Sequence, residues 1–98
     1  MLTAVLAWKY KSALTLMEAL FALQLSAPDC GWRIHESEAT GRYVMGECHG
    51  MKVKIFQEEG EIEAWYPPTP PPTPEEVSTR VQNDVLPVIE ATEVKRVP

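Results

Sequence analysis

Three glycine-bearing turn signals constrain this chain more than any other feature. Ala39-Thr40-Gly41, His49-Gly50 and Glu59-Gly60 divide the stretch from Trp32 to Tyr66 into four short runs. Glycine accepts a positive φ without steric cost, so each signal suits a tight hairpin loop. Loop length then sets which residues face each other. A three-residue loop at 39–41 places Glu38 opposite Arg42 and Arg33 opposite Glu47. A two-residue loop at His49-Gly50 places Glu47 opposite Lys52 and Val44 opposite Ile55. A two-residue loop at Glu59-Gly60 places Ile55 opposite Ala64 and Lys54 opposite Trp65.

These registers agree on two faces. One collects Trp32, Ile34, Val44, Cys48, Met51, Val53, Ile55, Ile62, Ala64 and Tyr66, and is a core face. The other carries Arg33, Glu47 and Lys52 in one row, His35, Met45, Lys54 and Trp65 in the next, then Tyr43, Phe56 and Glu63. A one-residue slip would exchange the two sets, so agreement across three separate hairpins supports a four-stranded meander over 32–38, 42–48, 51–58 and 61–66.

What flanks the meander is less sharply written. Residues 2–10 alternate Leu2, Ala4, Leu6, Trp8 and Tyr10, which fits a strand, although their Ala and Leu content also suits a helix. The alternation of apolar and charged residues from Trp8 to Lys11 favours the strand. A helix is expected over 12–26, with Ser12 as its N-cap and Pro28 as its stop. Its apolar residues Leu14, Leu16, Met17, Leu20, Phe21, Leu23 and Leu25 cover too much of the circumference for one sheet face to bury. A second helix or a partner chain must take the remainder.

Residues 67–74 read as a proline-rich spacer. A proline-docking peptide is the other reading, but no Arg or Lys flanks it to orient docking. Thr73-Pro74-Glu75-Glu76 then starts a C-terminal helix with a capping box, in the segment 75–98. Pro87 should kink or end that helix. Residues 93–97 either add a short edge strand or fray as a terminus.

Ninety-eight residues make one domain with room for a two-layer core but not for a large enclosed active site. The net charge of −5 opposes nucleic-acid and anionic-membrane binding, both of which call for a basic face. No run reaches about 18 uncharged apolar residues, so no membrane span is expected. Lys9 and Lys11 precede an apolar run as in a signal peptide, but Glu18 interrupts it and no cleavage site follows. Two cysteines do not make a disulfide framework, so free thiols and a cytoplasmic setting are expected. In the inferred register Cys30 nevertheless lies near Cys48.

Chemistry-bearing clusters are weak. Cys30, His35, Cys48 and His49 match no zinc spacing, and His35 points away from Cys48 in this register. Cys48 beside His49 could in principle form a nucleophile and base, but its core-face position makes it packing. Glu58, Glu59, Glu61 and Glu63 flank a turn in water rather than forming a buried acid–base pair. No cofactor or metal is expected.

The outer face is the stronger candidate. Tyr43, Met45, Phe56, Trp65, Arg33 and Lys54 make an aromatic patch rimmed by charge, unless the second helix or the N-terminal segment covers it. The fold expected is α+β: a four- to five-stranded antiparallel sheet, an N-terminal helix on one face, and a C-terminal helix after the spacer. The function expected is non-enzymatic protein binding of the adaptor or inhibitor type, with another protein or a second copy as partner. Single-stranded nucleic acid on the aromatic face is the alternative, and a small Cys/His enzyme the third.

Overall fold

The computed structural model describes residues 3–98. Leu2, the first residue of the expected strand 2–10, lies outside them. The fold is α+β, with two helices and one antiparallel sheet of six strands, one more than expected. The strands are β1 (Ala4–Lys11), β2 (Arg33–Ser37), β3 (Gly41–Cys48), β4 (Met51–Phe56), β5 (Glu61–Tyr66) and β6 (Thr92–Val97). Their order across the sheet is β2-β3-β4-β5-β1-β6. The N-terminal strand is therefore interior, because β6 pairs along its far side.

The middle hairpin has the expected register, with Val44 opposite Ile55 and Glu47 opposite Lys52. Its loop is His49-Gly50, with φ of 53° and 75°, the positive pair that matches the strand twist. The other two hairpins are shifted by two residues. Arg33 lies opposite Met45 rather than Glu47, and Glu36 rather than Glu38 faces Arg42. Ile55 lies opposite Ile62 rather than Ala64, and Lys54 faces Glu63 rather than Trp65. The physical reason is the same at both ends. The first loop opens one position earlier than its glycine suggests, at Glu38, and the other two positions earlier, at Gln57, which is drawn into the core. A two-residue shift keeps every side chain on its face. Val44, Val53, Ile55 and Ile62 are accordingly all fully buried on one side.

That buried side also takes Leu6, Trp8 and Tyr10 from β1. Helix α1 (Leu16–Ser26) adds Leu16, Ala19, Leu20 and Leu23. Helix α2 (Pro74–Arg80), with the wider π turn Val81–Val85 that extends it, adds Val77, Val81 and Val85. Leu86 and Ile89 follow, and all of these belong to one core cluster. Both helices thus lie on the same side of the sheet. Residues 67–73 connect β5 to α2, with Pro72 against Gly50. Among the described residues no helix is long and apolar enough to cross a membrane.

Helix α1 starts later than expected. Its N-cap is Thr15, not Ser12. The Thr15 hydroxyl accepts from the Glu18 amide at 3.1 Å, and the Glu18 carboxylate accepts from the Thr15 amide at 2.9 Å. This reciprocal box satisfies two donors where a lone serine satisfies one. Ser12 instead donates to the Ile89 carbonyl at 2.7 Å, tying the end of β1 to the segment after α2. The C-terminal helix has its expected cap, with Thr73 accepting from the Glu76 amide and Pro74 in the first turn. Its last turn widens as Pro87 approaches: the Leu86 amide reaches back to the Val81 carbonyl at 2.9 Å. A proline ring in a regular helix would clash with the carbonyl four residues earlier, and the wide turn gives it room.

Cys30 and Cys48 form a disulfide, which corrects the expectation of free thiols. Cys30 ends the turn Pro28–Cys30 that follows α1, and Cys48 ends β3. The bridge therefore ties the helical layer to the sheet.

Candidate functional site

Because both helices pack on one side, the opposite side of the sheet carries no second layer among the described residues. Residues on β3, β4 and β5 alternate accordingly between buried and half-exposed. The corrected register arranges the half-exposed set in three rows. The first runs His35, Tyr43, Phe56, Glu61 and Lys9. The second runs Arg33, Met45, Lys54, Glu63 and Ala7, and the third Glu47, Lys52, Trp65 and Val5. Arg33 therefore does not join Glu47 and Lys52, and Trp65 does not share a row with Lys54, because both outer hairpins are shifted by two.

The first row is an aromatic ladder. His35 stacks on Tyr43 with ring centres 5.7 Å apart, and Tyr43 meets Phe56 at 5.1 Å. Directly opposed residues on one face stand close enough for such rings to touch. Lys54 lies diagonally between this row and the third. Its ammonium is 4.5 Å from the Trp65 ring centre and 5.8 Å from that of Tyr43. Each ring face attracts the cation. The Trp65 indole N–H donates to Glu63 at 3.1 Å, which holds the ring in place. Arg33 donates from Nε to His35 Nε2 at 3.0 Å. Lys52 pairs with Glu47 at 3.4 Å and Lys9 with Glu61 at 3.9 Å.

All six candidate residues, Tyr43, Met45, Phe56, Trp65, Arg33 and Lys54, thus share one open face. Its charges alternate in sign rather than accumulate. A depression of about 730 Å³ lies at one end, lined in part by Trp65, Lys52 and Lys54. It is open to solvent.

The other clusters are dispersed. Cys48 is held in the disulfide and is not a free nucleophile. His49 lies 3.3 Å from Arg80 on α2. Among the described residues no group of three His, Cys, Asp or Glu converges as metal ligands would.

One polar group of consequence was not legible in the sequence. Gln57 is buried, accepting from the Tyr10 hydroxyl at 2.6 Å and donating to the Leu14 carbonyl at 2.9 Å. Burial pushes the Tyr10 phenol well above its ordinary range, and the nearby Glu59 carboxylate acts in the same direction. Tyr10 therefore stays a neutral donor. A glutamine between Phe56 and Glu58 looks like any turn residue, and only its tertiary neighbours make it structural.

Compared with known proteins, the chain matches no protein-family model, and no curated protein matches it.

Proposed function

We propose that this is a non-enzymatic protein-binding domain whose recognition surface is the open face of the sheet. The observation that carries the reading is the ladder His35–Tyr43–Phe56, with Lys54 held against Trp65, on paired strands with no second layer over it among the described residues. Aromatic rings, a methionine and an arginine on a pre-ordered surface are what protein interfaces concentrate. Little side-chain freedom is left to lose on binding, because the rings already brace one another. The mixed charge favours a partner that presents both signs around an apolar centre.

Proteins captured by the wild-type domain and by Trp65→Ala and Phe56→Ala variants, compared in parallel, test this. The variants should keep the wild-type circular dichroism and lose the captured partner by tenfold or more. Hot-spot aromatics typically contribute about 2 kcal/mol or more. Variants that fold normally and retain every partner would remove the face from consideration. Stacked rings also suit single-stranded nucleic acid. Affinity for a labelled oligonucleotide that falls steeply with salt would favour that reading, but Glu47, Glu61 and Glu63 on the same face oppose phosphate.

The Cys30–Cys48 bridge supports an oxidising compartment over the cytoplasmic setting that composition suggests, since such bonds persist where thiols are not kept reduced. Thiol titration of protein isolated without reductant should find none free.

A further inference from the structure

We propose that Cys48 is a thiol-exchange site: it accepts a small thiol that carries a carboxylate, and Cys30 is the sulfur displaced. The inference does not rest on the outer-face reading, since no protein partner enters it.

The two cysteines of the bridge are unequally placed. Cys30 is 7% exposed and belongs to the core cluster, in the turn that follows α1. Cys48 is half-buried at the end of β3, where the chain turns back through His49-Gly50. Two depressions reach Cys48. One, of about 310 Å³ on the helical side, is lined by both cysteines. The other is the depression of about 730 Å³ at the end of the outer face, and it is lined by Cys48 but not by Cys30. A thiol entering there meets Cys48 first. The rate of exchange depends on which sulfur can be reached, and access here selects Cys48.

The lining selects the kind of thiol. Lys52 and Lys54 line the outer depression together with one carboxylate, Glu47. Glu47 pairs with Lys52 at 3.4 Å. Lys54 has no ion pair among the described residues; the ring faces of Trp65 and Tyr43 hold its ammonium. Glu63, opposite Lys54 in register, accepts from the Trp65 indole and does not line the depression. One uncompensated cation therefore stands in the depression that opens on Cys48. It draws in anions: the thiolate, which is the attacking form, and any carboxylate the thiol carries. The helical-side depression lacks this bias, because its Arg80 pairs with Asp84 at 3.6 Å.

The exchange is balanced. The thiolate attacks Cys48 Sγ, a new S–S bond forms as the Cys30–Cys48 bond breaks, and the electron pair leaves on Cys30 Sγ. A buried charge is costly, so the displaced Cys30 sulfur takes a proton from solvent. The incoming sulfur is oxidised and Cys30 is reduced, so no further oxidant is required. The products are a mixed disulfide at Cys48 and a thiol at Cys30. The covalent tie between the turn after α1 and the end of β3 is then open.

Acid-quenched mass spectrometry with peptide mapping tests the proposal. The full chain, with its bridge intact, is treated at about pH 8 with mercaptoacetate or with cysteamine, two thiols of similar size and opposite charge. Each rate is divided by that for the same thiol with the chain unfolded in urea, which removes the intrinsic difference between the reagents. The adduct should map to Cys48, with Cys30 as the free thiol, while circular dichroism keeps its folded form. Mercaptoacetate should be favoured by about threefold, the size of one exposed ion pair. Added salt should erase that preference, and so should Lys54→Gln. The salt series on the wild type serves should that variant fail to fold. An adduct on Cys30, or exchange no faster than global unfolding as read by hydrogen exchange, would overturn the proposal. Equal normalised rates for the two thiols would overturn it as well.

Discussion

Tyr10 and Gln57 show how much one buried pair can hold in place. Through them, β1, the turn after β4 and the start of the helical layer share a connected set of hydrogen bonds. Tyr10→Phe would leave the Gln57 oxygen without its donor, at about 1–3 kcal/mol, readable by denaturant unfolding. The pH dependence has a definite sign. The phenol is raised from a reference of 10.0, so above about pH 10 the unfolded chain releases a proton that the folded chain keeps. Stability should fall by about 1.4 kcal/mol per pH unit there, and Tyr10→Phe should remove that slope. Gly46 is the other such position. The Trp32 ring lies so close that an added Cβ would come within 2.5 Å of it. Gly46→Ala should cost about 1–3 kcal/mol through overpacking, seen in the same unfolding curves. Neither role could be read locally, since each depends on a residue more than ten positions away.

At the scale of elements, short-range chemistry was legible where it closed on itself. The Thr73 box at α2 needs only residues 73–76, and it forms as read. At α1 the expected cap Ser12 gives way to Thr15, because Glu18 answers Thr15 three residues on. Thr15→Ala should therefore destabilise the protein by about 1 kcal/mol, measured by thermal or denaturant unfolding. Ser12→Ala should act differently, by releasing the Ile89 carbonyl rather than the helix start. The strands were legible in their faces but not in their pairing. Two loops open earlier than their glycines suggest, and the shift by two leaves burial unchanged. The candidate residues consequently stayed on one face while their neighbours changed.

Across the whole molecule, the layers are joined by the Cys30–Cys48 bridge as well as by packing. It closes a loop across a sequence separation of 18, so reduction should lower stability by about 3 kcal/mol on the chain-entropy account. Denaturant unfolding with and without reductant measures this. The helical side buries both helices against the sheet, and the outer side carries no second layer among the described residues. The excess apolar width of α1 is only partly explained by that packing, since Phe21 and Leu25 stay exposed.

The amino-acid sequence alone determined which residues face inward on each strand, since a period of two survives any even shift in pairing. It also determined the Thr73 cap of α2, whose partner Glu76 lies within one turn. Only the tertiary structure decided that both helices take the same side and so leave the aromatic ladder uncovered. It likewise decided that β1 sits inside the sheet, that the cysteines meet, and that Gln57 is buried. Each of these depends on which distant segments meet, and no local pattern of polarity encodes that choice.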